Sequence, residues 1–177
     1  MNIRSVRRLT ASALIAAVYA ALTMGLSFMS YGPIQFRVAE ILCILPFFFP
    51  WTTWGVTAGC LIANLISAYG PADVVLGTLA TLLSCLAVAA LGRGNRQSWL
   101  SDILACLMPV VFNAVIVGAM IAWFEVGSFS GAAFWTAFAV NGASVGAGEL
   151  AVMLVLALPI MRVLPNSSVY TRIQSIA

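Results

Sequence analysis

Long apolar segments alternate with short polar, glycine- or proline-containing stretches along the whole chain. The first apolar run follows Arg4, Arg7 and Arg8 and is about 20 residues long, which is enough for a helix to cross a bilayer. Pro33 suits the first turn of a second helix, and Pro50 marks the turn after it. The pattern predicts transmembrane helices at 9–29, 33–49, 52–68, 73–91, 100–124 and 143–163.

The stretch 125–142 mixes glycines with aromatic residues, and we expect it to form an outer loop with a possible short helix. The predicted fold class is therefore all-α: a polytopic membrane protein of six transmembrane helices, forming a single membrane domain over residues 1–177.

Composition strengthens the membrane prediction. Of the 177 residues, 63% are hydrophobic and 7% charged, and the mean hydropathy is +1.08. A soluble domain carries about a quarter charged residues, so lipid is the expected solvent. The chain has no histidine and no lysine, which excludes histidine-based catalysis and a phosphate-binding P-loop lysine. We expect the four cysteines to be small buried apolar residues without a metal or disulfide role: Cys43, Cys60, Cys85 and Cys106.

The arginines predict the orientation. With six spans, seven of the eight arginines fall on one side, which the positive-inside rule makes cytoplasmic together with both termini. These seven are Arg4, Arg7, Arg8, Arg93, Arg96, Arg162 and Arg172. The exception is Arg37, at the outer end of the second predicted helix. Because Arg37 does not follow the positive-inside pattern, we expect it to have a role other than setting the topology.

The segment Tyr31–Glu40 carries Gln35, Arg37 and Glu40 among apolar neighbours. Charged residues near hydrocarbon are costly and usually mark a functional site. Counting residues along the predicted helices places further polar residues in the outer half, which favours a pocket open to the outside: Asn64, Asn113, Asn141 and Glu149. The aromatic residues Tyr31, Phe36 and Tyr69 are beside this group in the sequence-based picture.

Structural alternatives remain open for several of these residues. Asp73 is expected to cap the start of the fourth helix, and Arg37 and Glu40 could form an ion pair on one helix face. Asn64 and Asn113 could bond neighbouring helices instead of a ligand. Glu149 follows glycines in an apolar run and is interpreted as a ligand residue or a partner of Arg37.

A second candidate surface is on the first helix. Ala13, Ala17 and Ala21 recur every four residues, so another helix could lie closely against them. Packing within the bundle would explain the same spacing.

Three segments carry a family resemblance: YGPIQFRVAE at 31–40, GCLIANLISAYGPADVVLGTLATLL at 59–83 and GASVGAGELAVML at 142–154. They resemble the QueT family of substrate-binding (S) components of energy-coupling factor (ECF) transporters. The resemblance implies an S-component-like bundle in the bacterial cell membrane that imports a queuosine precursor, a 7-deazaguanine. It also implies a membrane coupling subunit that docks on Ala13, Ala17 and Ala21, and two ATPase subunits that use the ATP. The chain itself would bind no cofactor, metal or nucleic acid and would not be an enzyme.

For such a ligand, we expect Glu40 and Glu149 to accept the adjacent N–H donors of the ring and to bind an amine, in an order left open. Asn64, Asn113 and Asn141 would contact the remaining polar edges, and Tyr31, Phe36 or Tyr69 would stack on the ring. The alternatives are a purely structural subunit, which would not explain a one-sided polar cluster, an S component for another vitamin, a transporter that works alone, and an intramembrane enzyme. The last is disfavoured because the sequence shows no nucleophile–base pair.

Overall fold

The computed structural model describes residues 3–30, 36–94 and 98–175. Within these ranges the chain is helical, with short turns and no strand. The predicted all-α class is therefore confirmed. Four helices are long and apolar enough to cross a membrane.

The helices are numbered here in chain order. Two single turns, Ser27–Ser30 and Pro50–Thr52, connect some of them. The helices are α1 Ile3–Gly25, α2 Val38–Phe48, α3 Thr53–Asn64, α4 Pro71–Gly92, α5 Trp99–Val126, α6 Ala132–Asn166 and α7 Ser168–Gln174. The four of membrane length are α1, α4, α5 and α6, whereas α2 and α3 are shorter apolar helices at the places of the second and third predicted spans.

The predicted outer loop at 125–142 is wrong. Helix α5 continues to Val126, and α6 begins at Ala132 rather than at residue 143. Within this stretch, the glycines with positive φ are those of the short turn between the two helices, Gly127 (72°) and Gly131 (90°). Gly142 instead lies within α6, where its Cα would be 2.6 Å from a Cβ added to Gly118 of α5. Glycines that allow close helix packing were therefore mistaken for loop glycines.

The second predicted helix is also irregular. Helix α2 starts as a 3₁₀ helix, Val38–Ile44, and finishes as a single α-helical turn, Leu45–Phe48. It contacts α1, α3, α4, α5 and α6, so it lies at the centre of the bundle. Its side chains are accordingly buried at Ala39, Glu40, Cys43, Ile44 and Phe47. Irregular helical segments of this kind often occur at functional positions.

Small residues hold α1 against α3. A Cβ at Gly55 would lie 2.7 Å from the carbonyl oxygen of Ser12, and one at Gly59 would lie 2.7 Å from that of Ala16. The buried face of α1 is therefore the Ser12, Ala16 and Ala20 face. Ala13, Ala17 and Ala21 are exposed on another face of the same helix.

The two ends of the bundle differ in charge. At the basic end, α1 and α5 begin, α4 and α6 end, and α7 lies beside them. Here Arg162 pairs with Asp102 (Nε–Oδ2 2.7 Å), and its guanidinium lies over the Trp99 ring. Tyr170 of α7 packs on the phenylalanine rings at the end of α2, at centroid distances of 5.7 Å to Phe48 and 5.2 Å to Phe49. At the opposite end, Arg37 meets Asp73. Which end faces the cytoplasm stays a prediction from the positive-inside rule.

Candidate functional site

A buried polar cluster occupies the bundle around α2. Glu40 is fully buried and accepts hydrogen bonds on both carboxylate oxygens. The hydroxyl of Tyr19 on α1 donates to Oε1 at 2.5 Å, and the Cys43 thiol donates to Oε2 at 2.9 Å. Thr81 of α4 donates to Oε1 at 3.4 Å. Glu40 is thus held by side chains from three helices, which fixes its orientation.

A chain of polar contacts leads from Glu40 towards the start of α4. Thr81 lies 3.2 Å from the Cys60 thiol, and the Asn64 amide donates to the Cys60 sulfur at 3.4 Å. The same amide nitrogen donates to the backbone carbonyl of Asp73 at 3.0 Å. Asn64 is therefore partly used in joining α3 to α4, as its structural interpretation predicted.

Arg37, just before α2, is 2% exposed and pairs with Asp73 (Nη2–Oδ2 3.9 Å). Helix α4 begins at Pro71 with Gly70 as its N-cap, so the prediction that Asp73 caps this helix is wrong. Asp73 lies in the first turn, where a carboxylate also interacts favourably with the helix dipole. A side chain at Gly77 would collide with both Asp73 and Asn64, so this glycine makes room for them.

Glu149 and Asn113 form a second part of the cluster. The Asn113 amide donates to Glu149 Oε1 at 3.3 Å, and both residues are buried. Glu149 is close enough to Glu40 and Arg37 for their charges to interact. Because α6 begins at Ala132, Glu149 lies at the middle of this helix rather than in the predicted outer half, which corrects its predicted depth.

Several buried oxygen atoms of the cluster have no hydrogen-bond partner among the residues that the structure describes. These atoms are Asn64 Oδ1, Asp73 Oδ1, Asn113 Oδ1 and Glu149 Oε2. All four are acceptors. An acceptor buried without a donor costs about 1–3 kcal/mol. The cluster also contains three carboxylates and one guanidinium, so it is suited to a small molecule that is rich in donors or positively charged.

The remaining predicted site residues are outside this cluster or outside the described ranges. Asn141 is half-buried, and its amide donates to Glu125 Oε2 at 2.8 Å. Phe36 is half-buried, and its backbone N–H donates to the Met29 carbonyl. Tyr31 and Gln35 lie outside the described residues.

Tyr69 lies in the connection between α3 and α4, with its ring 5.4 Å from that of Phe124 in an edge-to-face arrangement. Burial raises the pKa of the Tyr69 hydroxyl, and the negative charges of Glu125 and Asp73 raise it further. This phenol therefore stays protonated at physiological pH and can act as a hydrogen-bond donor beside Asp73.

Sequence reasoning missed Tyr19 and Thr81. A tyrosine in the middle of an apolar helix was a usable signal, because tyrosines of membrane helices concentrate at the interfaces. Thr78, Thr81 and Ser84 recur every three residues on α4 and were a weaker signal. All four cysteines are buried, as predicted, and their thiols are free. Cys43 and Cys60 are not purely apolar packing residues, however, because their thiols take part in the polar cluster. The part of the chain that the structure describes contains no group of three or more residues able to hold a metal ion.

Comparison with known proteins identifies a family that the chain matches. The family model described as QueT transporter matches residues 9–166. A queuosine precursor transporter QueT of Lactococcus lactis subsp. cremoris is 49% identical to the chain over 73 residues. That match covers 40% of the chain and 43% of the relative, so it spans less than half of the relative's length. No solved structure matches the chain.

Proposed function

Since the chain belongs to the QueT transporter family, we propose that it is the substrate-binding membrane subunit of an ECF-type importer for a queuosine precursor. The family is one of transporters, not of enzymes, and the four membrane-length apolar helices make the chain a multi-pass membrane protein. The relative's name states a queuosine precursor as its cargo, and this cargo is proposed for the present chain.

One observation carries the choice of substrate: the polar cluster offers buried acceptors that lack donors. A 7-deazaguanine presents a ring N–H beside an exocyclic amino group, so its edge supplies adjacent donors. A carboxylate can accept both in a bidentate pair, which is the strong form of such a contact. Precursors with an amine also supply a cation to a cluster in which carboxylates outnumber the guanidinium.

The contacts also suggest how the two glutamates divide their roles. Both oxygens of Glu40 already accept from Tyr19 and Cys43, whereas Glu149 Oε2 has no donor among the described side chains. Glu149 is therefore assigned to the ligand's donors. Glu40 supplies negative charge beside them, and Arg37 supplies a donor for the ligand's ring carbonyl.

The energy source is assigned to partner subunits. The chain has no lysine and therefore no P-loop lysine of its own. A coupling subunit would dock on α1 along Ala13, Ala17 and Ala21, which are exposed, while their neighbours Ala16 and Ala20 are buried. Small residues allow a partner helix to approach the α1 backbone closely.

Identification of a copurifying ligand, followed by calorimetric titration, tests the substrate. The purified chain should bind a 7-deazaguanine carrying an amine and should bind guanine and a panel of vitamins much more weakly. Tight binding of a vitamin without binding of any 7-deazaguanine would instead identify an S component for that vitamin. Uptake in cells that lack coupling subunits would favour a transporter that works alone.

Adjacent alanines on α1 provide a matched test of docking. Ala17→Trp should abolish transport and complex formation but leave ligand binding by the isolated chain unchanged, because Ala17 is exposed. Ala16→Trp should instead prevent folding, since Ala16 meets Gly59 across the α1–α3 contact. Normal transport by Ala17→Trp would exclude this stripe as the docking surface.

A further inference from the structure

A cleft of about 530 Å³ lies between the beginning of α1 and α7, at the basic end of the bundle. Two arginines from distant parts of the chain line it, Arg7 and Arg172. Both side chains are exposed, and neither takes part in the polar cluster around Glu40. The fold thus brings two positive charges to one recess at a distance from the polar cluster.

The acidic residues of the chain do not neutralise this recess. Asp102 is paired with Arg162, at 2.7 Å. The other four are in the polar cluster or near the opposite end of the bundle, namely Glu40, Asp73, Glu125 and Glu149. Across the described ranges, neither Arg7 nor Arg172 has a carboxylate side chain within ion-pair distance. Among the described residues, therefore, no acidic side chain supplies the counter-charge of this recess.

The rest of the lining is mostly apolar. Val6, Ala11 and Leu14 lie beside the arginines, and Leu14 is 65% exposed on the outer face of α1. The Thr10 hydroxyl donates to the carbonyl of Val6, so it is already used within the helix. A free inorganic anion would gain nothing from these apolar side chains. An anion that carries a hydrocarbon chain would contact both parts of the cleft.

We propose that this cleft binds an anionic phospholipid, with the phosphate between Arg7 and Arg172 and an acyl chain against Leu14. Basic pockets at the ends of transmembrane helices have the charge and depth to hold lipid headgroups. The long arginine side chains can keep their stems against apolar surface while the guanidinium groups reach the headgroup level. The site is separate from the polar cluster, so it does not depend on the identity of the transported substrate.

Native mass spectrometry of the purified full chain tests the site. The protein would be equilibrated in detergent with equimolar phosphatidylglycerol and phosphatidylcholine before measurement. The wild-type chain should retain phosphatidylglycerol selectively. The Arg7→Gln/Arg172→Gln variant should lose about 30-fold in apparent affinity (about 2 kcal/mol), since each arginine near a headgroup contributes about 1 kcal/mol. Each single variant should lose about fivefold, which keeps the test valid if the double variant does not fold.

Arg93→Gln is the matched control, because Arg93 is an exposed arginine at the same end of the bundle but does not line this cleft. It should retain the lipid as the wild type does. Excess inorganic phosphate should not displace the lipid, and displacement would assign the cleft to a free anion instead. Undiminished retention in the two single variants, or an equal loss in Arg93→Gln, would overturn the proposal.

Discussion

Replacing Glu149 by glutamine isolates the charge at the centre of the proposed ligand site. Glutamine keeps the size of the side chain and an oxygen that can still accept from Asn113, now 3.3 Å away. It converts Oε2, which has no donor among the described residues, into an N–H donor that would face the donors of the ligand. A hydrogen bond to a charged group contributes about 1.5–3 kcal/mol, so affinity for a 7-deazaguanine should fall roughly 10- to 150-fold.

The same substitution should not destabilise the free protein. A buried carboxylate with an unused oxygen is costly, and an amide is cheaper to bury. The melting temperature of the unliganded variant should therefore stay the same or rise, while calorimetry shows the loss of affinity. Glu125→Gln is a suitable control because Glu125 is exposed and lies outside the polar cluster, so this substitution should change affinity less than twofold.

Comparing two ligands assigns the contact. If Glu149 accepts the ring N–H and amino donors, the loss should be equal for 7-deazaguanines with and without an amine. If it binds the amine, only the amine-bearing ligand should lose affinity. Unchanged affinity for both ligands in a folded Glu149→Gln protein would refute the reasoning and would leave Glu149 as a residue that only bonds α5 to α6.

Two further substitutions test the structure around this site. Tyr19→Phe removes the 2.5 Å hydrogen bond to Glu40 and should cost about 1–3 kcal/mol in stability or ligand affinity. Thermal unfolding and calorimetry measure these two quantities, and no change in either would mean that this bond contributes to neither. Gly59→Leu should lower the melting temperature or prevent folding because its side chain would meet the α1 backbone, whereas Gly25→Ala, with nothing within 4 Å, should be harmless. A stable Gly59→Leu protein would contradict the close α1–α3 contact.

The hydrophobic pattern predicted most of the helices because the length of an apolar run directly reflects bilayer thickness. It could not predict where α6 begins, since glycines in a loop and glycines at a helix contact look alike in sequence. Gly142 faces Gly118 across α5 and α6, which only the three-dimensional packing reveals. The misplaced start then shifted the predicted depth of Glu149 along the helix.

For the candidate site, the sequence predicted most of the polar residues but not the contacts between them. Polar side chains in an apolar chain avoid lipid by contacting one another, which explains why four of the predicted residues are buried together: Glu40, Asn64, Asn113 and Glu149. Their partners were not predictable. Asp73 pairs with Arg37 across 36 residues of sequence, at 3.9 Å, and this pairing depends on the exact start of α4. The local rule for helix capping pointed to a different role.

Helix α1 offers a physical route from the candidate ligand site to the proposed docking surface. Residues two apart on an α-helix point about 200° away from each other, so Ala17 and Tyr19 lie on nearly opposite faces. Ala17 is exposed, whereas Tyr19 is fully buried and bonded to Glu40. A rotation of α1 that accommodated a partner helix would therefore move the Tyr19 hydroxyl relative to Glu40. If the two faces are linked in this way, Tyr19→Phe should make partner docking less dependent on ligand without preventing docking itself. Docking that depends on ligand as strongly as in the wild type would show that the two faces of α1 act independently.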